Sequence, residues 1–209
     1  MDVSLMMLLL PVLAYLLGSV PTAIWAGKWL RGIDVREHGS GNAGATNAMR
    51  VLGPKIGFAV LIVDAFKAVA AVSLAALLPD GVLTPAWYIV FQLLLGALAI
   101  LGHVFPVFAS FDGGKGIASL VGVIAVMFPE AFLVCLAVFT AVFLSTRYVS
   151  LGSLTAAIAL PIIVIWVQDV SLLPKVIFAI AVALFVPITH KNNIKRLLKG
   201  EENRISFRR

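Results

Sequence analysis

The chain has 209 residues, 61% of them hydrophobic and only 12% charged, whereas an ordinary soluble domain carries about a quarter charged residues. That composition excludes a cytosolic globule. A net charge of +6 on so apolar a chain points to anionic headgroups and anionic substrates rather than to nucleic acid.

The uncharged runs Val3 to Gly27 (25 residues), Gly81 to Phe111 (31) and Tyr148 to Gln168 (21) each exceed or match the roughly 20 apolar residues needed to cross a hydrocarbon core. Met1 to Ser4 contains an acid but no Lys or Arg, and no small-residue cleavage site follows, so the first apolar stretch is expected to stay in the protein. Charges and turn residues divide the chain into seven apolar segments: Leu5 to Trp29, Ile56 to Leu78, Ala86 to Val107, Ile117 to Phe128, Ala131 to Thr146, Leu151 to Val167 and Leu172 to Ile188. Pro11, Gly18 and Pro21 are expected to kink the first of these and to let neighbouring helices approach. The fourth, 12 residues long, rises only about 18 Å as a helix against a core of roughly 30 Å. It reads as a short or re-entrant helix.

A hairpin at Pro129-Glu130, rather than one long helix, follows from the positive-inside rule. It places the basic stretches Lys28 to Lys55 and Lys191 to Arg209 on one side together with Lys115 and Arg147, so that 14 of the 16 Lys and Arg lie at the cytoplasmic face. Asp2, Asp80, Glu130 and Asp169 then mark outer turns, with the N-terminus outside and the C-terminus inside. The expected architecture is a single all-α domain over residues 1–209, polytopic, with about seven transmembrane helices. Cys135, the one cysteine, allows no intramolecular disulfide or thiol-built metal cluster and reads as core filler.

Polar chemistry concentrates in three cytoplasmic segments. The first runs Gly39-Ser40-Gly41-Asn42-Ala43-Gly44-Ala45-Thr46-Asn47-Ala48-Met49-Arg50. Its glycines let backbone N–H groups turn to one point, and Ser40, Asn42, Thr46, Asn47 and the two-pronged Arg50 complete a set suited to phosphate without a metal. A polar inter-helix loop rich in turn residues would have a similar composition, and the spacing does not match the nucleotide P-loop. The second segment, Gly113-Gly114-Lys115-Gly116 ahead of Ile117, brings free N–H groups and an ammonium to a helix start; a plain tight turn is the alternative. In the third, His190, Asn193 and Arg196 share a face at i, i+3 if the last helix continues past the interface. The same stretch reads equally as a basic amphipathic segment on anionic lipid. Within the second membrane segment, Asp64 and Lys67 stand at i, i+3 and can neutralise each other, as an internal strut or a functional pair.

Three such clusters at one face, with no metal-ligand set, suggest an enzyme joining a water-soluble anion to a lipid. Ser40 through Gly53, Gly102-His103-Val104-Phe105-Pro106-Val107-Phe108 with Gly113 through Gly116, and His190 through Glu202 resemble the three cytoplasmic motifs of the bacterial acyl-phosphate:glycerol-3-phosphate acyltransferases, the PlsY family. The resemblance covers essentially the whole chain. It implies a seven-helix enzyme of the bacterial cytoplasmic membrane, with its active site on the cytoplasmic face. The reaction implied is transfer of a fatty acyl group from acyl phosphate to the 1-hydroxyl of glycerol 3-phosphate, giving lysophosphatidic acid and inorganic phosphate. No cofactor or metal is implied, and the expected working unit is the monomer.

Carried over residue by residue, the resemblance makes Ser40, Arg50, Lys115, His190 and Asn193 the catalytic set. Gly41, Asn42, Gly44, Thr46 and Asn47 resemble the family's phosphate cradle, and Gly113, Gly114 and Gly116 match its glycerol 3-phosphate motif. Glu202 is structural by this resemblance, and Asp64 and Lys67 join it as structural residues. Asp112 stands where the family often has Lys, and Glu201 where a small polar residue is common, so a weaker affinity for glycerol 3-phosphate is expected.

Acyl phosphate is a mixed anhydride with a good leaving group, so orientation and charge neutralisation suffice without a covalent nucleophile. The proton of the attacking hydroxyl can pass to His190 or to the departing phosphate. Four residues beyond His38, His103 and His190 lie Asn42, Val107 and Ile194, so the His-to-acid spacing of thioester-dependent acyltransferases is absent. A transporter of a small organic anion is the rival reading, disfavoured because transporters bind substrate near the midplane, often between inverted repeats. A catalytically silent scaffold leaves the polar clusters unexplained.

Overall fold

A computed structural model of the chain describes residues 2–167 and 173–205; Met1, Gln168, Asp169, Leu172 and Arg209, named above, lie outside them. The described residues form ten α-helices and three short 3-10 turns in two compact units that divide between Met127 and Phe128.

The first unit contains α1 (Val3–Gly18), α2 (Thr22–Arg31), α3 (Ala45–Val51), α4 (Pro54–Ser73), α5 (Pro85–Val104) and α6 (Ile117–Met127). The single segment expected from Leu5 to Trp29 is broken at residues 19–21, where α1 and α2 meet at a 42° bend. Pro21 lacks an N–H, and it stands at the N-cap of α2, so the ladder stops where the proline can no longer donate. Proline opens α4 and α5 as well, at the first turn, where its missing donor costs nothing.

Close approach is made by glycine. A Cβ on Gly18 would lie 2.2 Å from the Ala99 carbonyl oxygen, and one on Gly102 would lie 2.3 Å from that of Tyr15, so α1 and α5 touch backbone to backbone. Gly122 does the same for α6 against Ala65 of α4, at 2.2 Å. Helix α4 packs against α1, α2, α3, α5 and α6, which makes it the axis of this unit.

The second unit contains α7 (Pro129–Thr146), α8 (Val149–Val167), α9 (Leu173–Thr189) and α10 (Lys191–Leu198). Helix α8 packs on both α7 and α9, and Cys135 lies against the α8 backbone, its sulfur 3.8 Å from the Ala156 carbonyl oxygen. The last helix does not continue straight beyond the expected interface: α9 and α10 are bent by 64° at His190.

By length and apolarity, four helices among the described residues can each cross a bilayer, and treating each bent pair as one span raises the number to six. Helix α6, with 11 residues, is short of a full crossing at about 16 Å of rise.

Candidate active site

In the first unit the loop between α2 and α3 is folded around Asn47. Its Nδ2 donates to the carbonyls of Val35 (2.8 Å) and His38 (3.0 Å), and its Oδ1 accepts from the Ser40 backbone N–H at 2.8 Å. Asn47 is buried. Expected from the sequence to contact a ligand, it instead has both ends of its amide occupied by the loop, and it shapes the cradle from within. A Cβ on Gly39 would lie 2.4 Å from Asn47 Oδ1, and Gly41 sits at φ +72°, so both turns depend on glycine. With the Ser40 N–H committed to Asn47, the hydroxyl is the polar group that Ser40 presents, and it is partly exposed with Gly44 and Thr46 while Arg50 stands exposed in the last turn of α3.

The Gly113–Gly116 stretch lies on the C-terminal end of α5. The Gly114 N–H donates to the His103 carbonyl (3.1 Å) and the Gly113 N–H to that of Val104 (3.2 Å). Cβ atoms at these glycines would lie 2.2 Å from the His103 carbonyl oxygen and 2.1 Å from His103 Nε2. Gly116, at φ +82°, turns the chain into α6, which places Lys115 one residue before that turn.

Arg36 joins the two loops. Its guanidinium is held by Asp34 at 2.8 Å and donates to the carbonyls of Ala109 (3.2 Å) and Asp112 (3.3 Å), while the Asp112 carboxylate stands 3.5 Å away. Hydrogen bonding from Arg36 holds the Asp34 carboxyl below its usual range. In sequence Arg36 reads only as one more positive charge; its two acid partners are 2 and 76 residues distant, and the second has no local signal.

In the second unit, Glu202 gathers the third motif. Its carboxylate accepts from Asn193 Nδ2 (2.7 Å), Arg196 Nε (2.7 Å) and Ser150 Oγ (2.8 Å), which ties α10 and the tail to α8. Asn193 is therefore buried with its amide donor occupied, while its Oδ1 has no hydrogen-bond partner among the described residues. His190 is 2% exposed, and its Nδ1 lies 2.9 Å from the Val186 carbonyl oxygen. A carbonyl only accepts, so Nδ1 carries the proton of the neutral ring and Nε2 is the basic nitrogen. Among the described residues no three His, Cys, Asp or Glu side chains are placed to share a metal ion.

The family model described as glycerol-3-phosphate acyltransferase matches residues 8–200. The chain belongs to the glycerol-3-phosphate acyltransferase family. It is 43% identical to the glycerol-3-phosphate acyltransferase of Chlorobaculum parvum, over 94% of this chain and 95% of that one. With that of Fusobacterium nucleatum it shares 44% identity, over 94% and 96%. The crystal structure of PlsY, an integral membrane glycerol 3-phosphate acyltransferase, in its glycerol 3-phosphate form superposes with a TM-score of 0.85 at 35% identity, covering 96% of both chains. Its lysophosphatidic acid form gives 0.82, also at 35% identity, covering 96% of this chain and 95% of that one. The protein is thus an all-helical, integral membrane acyltransferase.

Two departures from the family pattern acquire a local setting. Asp112 faces the Arg36 guanidinium at 3.5 Å, so its negative charge is offset on the spot. Glu201 is exposed, held by its backbone N–H to the Arg196 carbonyl at 2.8 Å.

Glu202 carries a stability prediction. Burial pushes its carboxyl up, but hydrogen bonds from Arg196, Asn193 and Ser150, with the Arg196 charge, outweigh burial and leave it below its ordinary value of 4.5. Replacement by alanine strands those donors. The carboxylate is 3% exposed but Arg196 is 31% exposed, so the lower end of the range for broken buried pairs applies, about 3 kcal/mol, or roughly 6–12 °C in melting temperature for a chain of this size. Because the folded-state pKa is depressed, the contribution is complete above pH 4.5 and is lost as pH falls through the folded value. Melting curves of wild type and Glu202→Ala in detergent are expected to converge on acidification.

Proposed function

We propose that this acyltransferase moves a fatty acyl group from acyl phosphate to the 1-hydroxyl of glycerol 3-phosphate, releasing lysophosphatidic acid and inorganic phosphate as an early step of phospholipid synthesis. The observation that carries the reading is the Asn47-centred loop. It is a polar cradle whose backbone is fixed from within by Asn47, and Ser40, Asn42, Thr46 and Arg50 on it are residue types that bind a phosphate head. Gly41 and Gly44 give that cradle its turns. Gly113, Gly114, Lys115 and Gly116 bind the phosphate of glycerol 3-phosphate, with the first N–H groups of α6 adding to the Lys115 charge. His190 and Asn193 serve the acceptor, and Glu202 holds Asn193 and Arg196 in place.

The chemistry follows from the donor. The acceptor oxygen forms a bond to the acyl carbon, the acyl carbon–phosphate oxygen bond breaks, and the leaving phosphate takes the negative charge, which Arg50 neutralises in this reading. The hydroxyl proton ends on His190 or on the phosphate. No cofactor enters.

The topology that goes with this reading has seven transmembrane segments, the six candidate spans and the short α6, with the N-terminus outside and the C-terminus inside a bacterial cytoplasmic membrane. The three motifs then face the cytoplasm, where both phosphates are soluble. Helix α10, with Lys191, Lys195 and Lys199 exposed beside Leu198, rests on anionic lipid. One chain holds all three motifs and works as a monomer.

The test is product formation by the purified protein with labelled glycerol 3-phosphate and either palmitoyl phosphate or palmitoyl-CoA. Lysophosphatidic acid from the phosphate alone is the expected result. Product from the thioester would overturn the donor assignment. Uptake of glycerol 3-phosphate into liposomes without product would point to transport instead.

A further inference from the structure

Asp64 lies inside α4, 1% exposed, and belongs to none of the three motifs. Its Oδ1 accepts from Lys67 Nζ (2.8 Å) and from the Thr22 hydroxyl (2.9 Å), and His103 Nδ1 stands 3.6 Å from the same oxygen. Its backbone carbonyl accepts from the Ser119 hydroxyl at 3.1 Å. Lys67 continues the cluster to the Val20 carbonyl, in the break between α1 and α2, at 2.8 Å. One residue of α4 is therefore tied to the start of α2, to the last turn of α5 and to the first turn of α6.

Such a buried charged cluster is dearer than an apolar strut would be, and its geometry has a direction. The loop that carries Lys115 leaves α5 just after His103 and re-enters helix just before Ser119. Both of its ends are thus referenced to residue 64. The loop also lies directly on His103, with Gly114 bonded to the His103 carbonyl and packed so closely on the ring that a Cβ would stand 2.1 Å from Nε2. Asp64 Oδ2 and His103 Nδ1 are both buried without a hydrogen-bond partner among the described residues. They border a cavity of about 10 Å³ shared with Thr22, Lys67, Gly113 and Gly114, the size of one water molecule that would bridge them.

We propose that Asp64 and His103 form a buried positioning dyad for the acceptor loop: Asp64 fixes the His103 ring, and the ring sets the height and orientation of Gly113–Gly116 and so of the Lys115 ammonium. The dyad touches neither substrate and acts through the loop on glycerol 3-phosphate alone. This rests on the reading of that loop as the acceptor site.

The test uses the full-length protein in detergent. Asp64→Asn combined with Lys67→Gln removes the carboxylate without leaving an unpaired charge in the membrane, and His103→Asn removes the ring while keeping an amide. Both are expected to speed hydrogen exchange at the Gly114 N–H and to raise KM for glycerol 3-phosphate about tenfold or more, the scale of a sub-ångström to ångström misplacement. KM for palmitoyl phosphate and kcat are expected to stay within about twofold. Gly114→Ala is expected to raise the same KM, and His103→Asn added to it is expected to relieve that defect by vacating the space at Nε2. Unchanged exchange at Gly114 in both variants overturns the dyad. So does a fall in kcat with both KM values unmoved. Faster exchange with an unchanged KM for glycerol 3-phosphate overturns instead the acceptor assignment beneath it.

Discussion

Replacing Arg50 with alanine is expected to lower kcat/KM with acyl phosphate about 10²- to 10³-fold, the range found when one preorganised donor to a developing charge is removed. Arg50 occupies the last turn of α3, exposed, at the end of the Asn47-centred loop. As the acyl carbon–oxygen bond breaks, charge accumulates on the leaving phosphate, so a guanidinium with two parallel N–H groups stabilises the transition state more than the bound donor. Arg50→Lys keeps the charge but loses the fork. It is expected to recover part of the rate and to remain about tenfold below wild type. Melting curves of both variants in detergent separate a lost rate from a lost fold. An alanine variant retaining more than about a tenth of wild-type kcat/KM sinks the assignment.

The comparison of Arg50 with Asn47 shows what the sequence could and could not say. Both residue types suit a phosphate cradle, and residue type with the family resemblance put them in one. Only three dimensions reveal that Asn47 turns inward to Val35, His38 and Ser40, because an Asn that holds a loop and an Asn that holds a ligand look alike in a string of turn residues. The apolar segments were legible for the opposite reason: a membrane crossing is a one-dimensional property, set by a run of about 20 residues.

Bends within those runs were harder. Pro21 marked the break between α1 and α2, but nothing in the composition of 173–198 announced a 64° turn at His190. Pro187 lies inside α9 three residues earlier, but the hydrogen bond a proline removes runs back to Ala183, upstream of the turn, and α9 continues past it to Thr189. The i, i+3 spacing that put His190, Asn193 and Arg196 on one helix face therefore describes a bent segment. Asn193 and Arg196 meet on Glu202, while His190 bonds back to Val186.

Longer contacts left no trace in the sequence. Asp64 and Lys67 were visible as an intramembrane pair, because they are three residues apart. Their neighbour His103 is 39 positions away from Asp64, and although it stands in the second motif, nothing local ties it to that pair. The Arg36 bridge to Asp112 is equally remote. Buried polar hubs of this kind are fixed by which helices pack together, and here glycine contacts such as Gly18 on Ala99 and Gly122 on Ala65 bring those helices close.

His190→Gln separates the two fates of the acceptor proton. Proton transfer to a placed side chain contributes typically 10²- to 10⁴-fold in rate, so loss of the imidazole is expected to lower kcat by at least about 10²-fold if His190 is the base. The Val186 carbonyl at 2.9 Å from Nδ1 favours the tautomer with the proton on Nδ1, in which Nε2 is the nitrogen that would act. Glutamine places an amide near the Nε2 position but cannot accept a proton. The departing phosphate is a competent alternative base that needs no side chain. A His190→Gln enzyme that keeps more than about a tenth of wild-type kcat would assign the proton to the phosphate. A rate lowered with KM for glycerol 3-phosphate unchanged would place His190 in the chemical step, whereas a raised KM at constant kcat would make it a binding group.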